Sequence, residues 1–75
     1  MGGLGNVSGK DAVKALERAG WNKVGQVGSH LVMSKPNIRV NLSIPQHKEL
    51  APGTLRALIR NAGMGVDDFL KLLHK

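Results

Sequence analysis

The stretch from Ile38 to Ile44 constrains the fold of this 75-residue chain more than any other. Aliphatic residues alternate there with polar ones, in the order Ile38, Arg39, Val40, Asn41, Leu42, Ser43, Ile44. Successive side chains of a β-strand point to opposite sides, so this alternation predicts a strand with one buried and one solvent-facing side, ended by Pro45. A strand of this kind belongs in an antiparallel sheet that is covered on one face only.

Two shorter strands are predicted ahead of this stretch. Residues 22–27 and 30–34 have the composition of short strands, and the turn-forming pair Gly28-Ser29 separates them. Gly25 indicates a bulge in the first of these strands. A second turn signal, residues 35–37, precedes the alternating stretch. Three strands joined by tight connections favour an antiparallel meander.

Helical periodicity flanks the predicted strands on both sides. Ser8 is a candidate N-cap with Asp11 in the position of a capping box, and Gly20 supplies the C-terminal stop of the first helix. A second helix begins at Pro52 and a short third one at Val66. The apolar positions expected to face the core are Ala12, Val13, Leu16, Ala19, Leu55, Leu58, Ile59, Ala62, Val66, Phe69, Leu70 and Leu73.

The predicted fold class is therefore α+β: a three-stranded antiparallel sheet packed on helices, in the order α-β-β-β-α plus a short C-terminal helix. We expect residues 1–75 to form a single domain, with the glycine-rich residues 1–7 as a flexible arm. Cysteine is absent, which excludes disulfides and thiolate metal sites. No secretory leader or membrane-spanning run is recognisable, so we expect a cytoplasmic protein without a membrane partner.

Charge is the most informative bulk property. Eleven Lys and Arg residues face five Asp and Glu residues, a formal net charge of +6. Such an excess on a small surface attracts polyanions, with nucleic acid the first candidate and an acidic protein or membrane the next. Trp21 and Phe69 are the only aromatic residues, which disfavours recognition by base stacking. A basic domain without a polyanionic partner is the plain alternative.

The sequence Gly28-Ser29-His30 is a candidate reactive point, because histidine exchanges protons near neutral pH. Taken alone it is a weak signal, since an isolated histidine is more often a surface or packed residue. The histidines at positions 30, 47 and 74 match no compact ligand spacing, so we expect neither a metal site nor another cofactor.

Five segments, taken in their order and spacing, carry more information than any one of them. They are Ala19-Gly20-Trp21, Gly28-Ser29-His30, Ile44-Pro45-Gln46-His47, Leu50-Ala51-Pro52-Gly53-Thr54-Leu55-Arg56 and Arg60-Asn61-Ala62-Gly63. Over about residues 8 to 73, this combination resembles the HicA toxin family.

The resemblance implies a fold like that of the double-stranded-RNA-binding domain and an activity as an mRNA interferase, an endoribonuclease that arrests translation. It also implies a HicB-type antitoxin that binds and blocks the toxin. The essential histidine of the family falls on His30. The chain departs from the family at Leu31, Val32 and Met33, where members often carry an aromatic residue and often a second histidine.

Metal-independent RNA cleavage needs a base for the 2′-hydroxyl and an acid for the leaving oxygen. We assign His30 to one of these roles within the motif formed with Gly28 and Ser29; a structural role at a strand edge is the alternative. Ser29 would orient the imidazole or bond a phosphate, or it only forms the turn. His47 is a possible general acid if its loop folds toward His30, and otherwise a plain loop histidine.

Candidate RNA phosphate contacts are Lys35, Arg39, Lys48, Arg56 and Arg60. Each is also readable as an ordinary solvated charge. The main hypothesis is thus a metal-independent endoribonuclease toxin that acts on mRNA. The rivals are a noncatalytic module that binds structured RNA and a basic interaction domain for an acidic protein.

Overall fold

A computed structural model describes residues 4–75 of the chain. It contains three helices and three strands: α1 (Gly9–Arg18), β1 (Asn22–Val27), β2 (His30–Ser34), β3 (Leu42–Pro45), α2 (Pro52–Asn61) and α3 (Val66–Leu73). The predicted α+β class and the predicted order of elements are confirmed.

The strands form one sheet in the order β1-β2-β3, and both neighbouring pairs are antiparallel, which confirms the meander. His30 lies opposite Val27 of β1 and opposite Pro45 of β3. The register of β1 against β2 shifts between Lys23 and Gly25, which agrees with the bulge predicted at Gly25.

The sheet has one covered and one open face. Met33 of β2 and its β3 neighbours Leu42 and Ile44 are buried in one cluster with apolar residues of all three helices. Because side chains alternate along a strand, His30 and Val32 belong to the opposite face. Arg18 Nη1 donates a hydrogen bond to the Leu72 carbonyl oxygen at 2.6 Å and joins α1 to α3 on the covered side.

The structure corrects the predicted extent of the third strand. β3 begins at Leu42, and Ile38 and Val40 are 43% and 55% exposed. Asn37 has a φ of 70°, and Ile38 N donates a hydrogen bond to the Lys35 carbonyl at 3.1 Å, so this stretch begins as a turn. Since β2 ends at Ser34, residues 38–40 lie beyond its end and have no pairing strand beside them. Alternation alone does not supply that partner.

The predicted flexible arm is also corrected, for residues 4–7. Residues 1–3 lie outside the described part of the chain. Leu4 and Val7 are buried, and the Val7 carbonyl accepts a hydrogen bond of 2.7 Å from Leu50 N. The glycine content suggested mobility, but two apolar side chains anchor this segment to the core. Between residues 4 and 75, no helix is both long and apolar enough to cross a membrane.

Candidate functional site

The motif Gly28-Ser29-His30 lies at the tip of the β1–β2 hairpin. Gly28 and Ser29 form the two-residue connection between the paired residues Val27 and His30. Gly28 has a φ of 60°, whereas Ser29 is not in the left-handed region, which is the pattern of a type II′ turn with glycine first. Gln26 Nε2 donates a hydrogen bond to the Gly28 carbonyl at 3.1 Å. Gly28 therefore allows the turn conformation that places Ser29 and His30 at the hairpin tip.

Replacing Gly28 with alanine is expected to destabilise the protein by about 1–2 kcal/mol, the cost of a left-handed conformation for a residue with a Cβ. No atom lies within 4 Å of that added Cβ, so the cost is conformational and not steric. Gly25→Ala is the matched control, because it also meets no atom within 4 Å but has no positive φ. Urea unfolding measures both variants, and equal losses of stability would contradict this account.

His30 opens strand β2 on the open face of the sheet, between Val27 and Pro45. Its side chain is exposed, and within residues 4–75 it makes no hydrogen bond and no ion pair. The arrangement is therefore not a Ser–His–Asp relay, in which a carboxylate orients the imidazole. An unengaged imidazole on an open face can exchange a proton directly with a bound molecule.

His47 lies in the loop that follows β3, close in the chain to the strand partner of His30. Gln46 N donates to the Ser29 carbonyl at 2.8 Å, and the His47 carbonyl accepts from Gly9 N at 2.9 Å. The loop thus connects the hairpin tip to the start of α1. His47 lines an open pocket of about 370 Å³ there, and His30 is not one of its lining residues. The two imidazoles therefore face different surroundings.

The five candidate phosphate contacts do not form one patch. Lys48 lines the same pocket as His47, whereas Arg56 and Arg60 line a second open pocket of about 320 Å³ between α2 and the start of α3. Lys35 and Arg39 follow the far end of β2, which lies about 13 Å from His30 at the usual rise per residue. Of the five, Lys48 lies nearest in the chain to Gln46, whose N donates to the Ser29 carbonyl at the hairpin tip.

Lys10 is a pocket residue that the sequence interpretation did not select. It is exposed on α1, as is Lys14 one turn farther along the helix. The structure places it beside His47 and Lys48 in the 370 Å³ pocket. No local sequence signal distinguishes Lys10 from Lys14, because the difference arises from the loop that packs against the start of the helix. In residues 4–75, no three His, Asp or Glu side chains converge in a metal-ligand arrangement.

A comparison with protein families matches residues 9–64 to the model of the HicA toxin of bacterial toxin–antitoxin systems. The chain belongs to the HicA toxin family. The matched region runs from α1 through α2 and includes the whole sheet, His30 and His47. No individual curated protein matches the chain. The resemblance predicted from the five sequence segments is thus confirmed.

Membership of the HicA family defines the role of the chain at the level of the system. It is the toxin component of a bacterial toxin–antitoxin pair, and such a toxin has an antitoxin partner. The hairpin tip lies within the part of the chain that carries the family match, and so do four of the five residues that line the pocket beside α1; Ser8 lies just before it.

Proposed function

We propose that this HicA toxin is an mRNA interferase, a metal-independent endoribonuclease that cleaves RNA and thereby arrests translation. The observation that carries the proposal is the position of His30. It is exposed at a hairpin tip on the open face of the sheet, inside the family-matched region, and its imidazole has no hydrogen-bond or ion-pair partner among residues 4–75. The net charge of +6 supports an anionic polymer as substrate.

The open sheet face suits a substrate as large as an RNA strand. The residues beside His30 are uncharged: Val27 on β1, Pro45 and Ser43 on β3, and Val32 farther along β2. Val27 is 72% exposed, Ser43 is also exposed, and Val32 and Pro45 are half-buried, so this row is open to solvent along much of its length. Ribose and base can rest on such a surface while the basic side chains around it attract the phosphates.

The chemistry follows from the reactivity of RNA. A base removes the proton of the 2′-hydroxyl, the 2′-oxygen forms a bond to the adjacent phosphorus, and the bond from phosphorus to the 5′-oxygen breaks. The leaving oxygen takes a proton from an acid. The products are a 2′,3′-cyclic phosphate and a 5′-hydroxyl. His30 supplies one of the two proton transfers, since its imidazole can act as a base when neutral and as an acid when charged.

Ser29 has a supporting part in this proposal. Its backbone carbonyl is fixed by Gln46 N, whereas its side chain makes no hydrogen bond within the described part of the chain. The hydroxyl can therefore turn toward the imidazole of His30 or toward a phosphate oxygen. The proposed partner is a HicB-type antitoxin that blocks the toxin, and the proposed compartment is the cytoplasm, where mRNA is translated.

The experiment is a cleavage assay with mixed-sequence RNA in the presence of a chelator. We expect fragments that end in 2′,3′-cyclic phosphate and begin with a 5′-hydroxyl. An oligonucleotide with a single 2′-deoxyribose at the cleaved nucleotide is the matched control, and it should stay intact because it lacks the nucleophile. Loss of cleavage in chelator, or fragments with 5′-phosphate ends, would overturn the proposed mechanism.

A second candidate is a noncatalytic module that binds RNA without cutting it. The observation that favours it is the missing aromatic residue after the motif. Leu31 and Met33 lie on the covered side, with Met33 fully buried. Of the three residues after the motif, only Val32 therefore lies on the open face, and it is not aromatic. In the same assay this candidate predicts that RNA is bound and recovered whole.

A further inference from the structure

The pocket beside the start of α1 carries a positive charge that the mechanism at His30 does not use. It is lined by Ser8, Lys10, Gln46, His47 and Lys48 and has a volume of about 370 Å³. Its two lysines come from separate segments, since Lys10 belongs to α1 and Lys48 to the loop after β3. We propose that this pocket is a phosphate subsite, which holds an RNA backbone phosphate near the one that is cleaved. The inference rests on the proposed RNA substrate.

The two walls of the pocket are fixed to each other by backbone contacts. Gly9 N donates to the His47 carbonyl at 2.9 Å, and Leu50 N donates to the Val7 carbonyl at 2.7 Å. The helix and the loop are also closely packed, because a Cβ on Gly9 would collide with the Pro45 carbonyl oxygen and lie 2.9 Å from Gln46 Cα. The backbone positions of the cationic residues are therefore set before any ligand arrives, which lowers the entropic cost of binding.

The attraction for an anion comes chiefly from side chains, because three of the first four amides of α1 are already bonded. Gly9 N is bonded to the His47 carbonyl, Asp11 N to Ser8 Oγ at 3.0 Å, and Ala12 N to the Ser8 carbonyl at 3.0 Å. The acidic side chains nearest in sequence are Asp11 and Glu49, and neither lines the pocket. Asp11 is engaged with Ser8 N in the capping box. The residues that line the pocket thus include two lysines and no carboxylate, a set suited to phosphate oxygens.

The pocket is also within reach of an RNA strand that contacts His30. Pro45 pairs with His30, and the Ser29 carbonyl accepts from Gln46 N at 2.8 Å. Consecutive Cα atoms are about 3.8 Å apart, so His47 Cα lies within about 8 Å of Pro45 Cα. A strand that places its scissile phosphate at His30 can therefore reach the pocket with a neighbouring phosphate. In this proposal His47 contributes to phosphate binding.

The test measures RNA binding by charge variants in a His30→Ala background, which prevents cleavage during the measurement. The pocket variant is Lys10→Gln with Lys48→Gln. The control is Lys14→Gln with Lys71→Gln, which removes the same charge from exposed positions outside the pocket. We expect the pocket variant to weaken RNA binding at low salt about tenfold more than the control variant does. The slope of log K against the logarithm of salt concentration should also become shallower by about 1 more than in the control. Lys10→Arg with Lys48→Arg should retain the affinity.

A cleavage measurement in the background that retains His30 separates this inference from the proposed function. The pocket variant should cleave a long RNA less efficiently than the wild type and a dinucleotide equally well, because a dinucleotide contains only the scissile phosphate. Equal effects of the pocket and control variants on binding, with RNA still cleaved by the wild type, would overturn the subsite alone. Absence of RNA binding by the His30→Ala parent at low salt would overturn the RNA substrate and the subsite together.

Discussion

His30→Ala is expected to lower the rate of RNA cleavage by about 10²- to 10⁴-fold, the usual contribution of a positioned general acid or base. The side chain is exposed and makes no hydrogen bond or ion pair in the described part of the chain, so its removal should leave the fold unchanged. RNA affinity should also change little, because most of it comes from the basic side chains around the site. Single-turnover cleavage, circular dichroism and a binding titration measure the three quantities.

Two further histidines provide controls for this experiment. His74→Ala, at the end of α3, should change neither cleavage nor binding. His47→Ala distinguishes a proton donor from a phosphate contact. Loss of a proton donor lowers the cleavage rate at saturating RNA, whereas loss of a phosphate contact raises only the RNA concentration that gives half of the maximal rate. Undiminished cleavage by the His30→Ala protein would refute the assignment of His30.

Gly9→Ala is expected to destabilise the protein by about 1–3 kcal/mol or more, the range for inserting atoms into a closely packed site. The added Cβ would collide with the Pro45 carbonyl oxygen. This oxygen is a backbone atom, so it can move only if the peptide group moves with it. For a chain of 75 residues the whole stability is about 4–11 kcal/mol, so the loss is a large fraction of it. The midpoint of urea unfolding reports the change.

Gly53→Ala is the matched control, because Gly53 lies in the first turn of α2 as Gly9 does in α1. No atom lies within 4 Å of a Cβ added there, so alanine should be neutral or stabilising by up to about 1 kcal/mol. Under conditions where it stays folded, Gly9→Ala should also cleave RNA more slowly, since the displaced segment contains the strand partner of His30. A Gly9→Ala protein as stable as the wild type would contradict the packing of α1 against this loop.

Features that depend on a few neighbouring residues were predictable from the sequence. The capping box is one, since Asp11 N donates to Ser8 Oγ at 3.0 Å and Ser8 N donates back to Asp11 Oδ2 at 3.5 Å. The turn at Gly28 and the bulge before Gly25 are others. Each is decided by backbone conformation or by hydrogen bonds within a few residues, and residue type determines both.

Features that depend on a distant partner were not predictable in the same way. The alternation from Ile38 to Ile44 identified the buried side correctly at Leu42 and Ile44, but the strand exists only where β2 lies beside it. Leu4 and Val7 were assigned to a flexible arm because of the glycines around them. They are buried because residues far along the chain provide the core that receives them.

The same division holds for the site. Local residue types and their spacing were enough to predict the helices, the hairpin tip with His30 and the family. The folded structure was needed to show that Lys10 meets His47 and Lys48 in one pocket, and that Lys35 and Arg39 lie toward the other end of the sheet. The physical reason is that packing and hydrogen bonds between distant segments, such as Gly9 N to the His47 carbonyl, decide which charges converge.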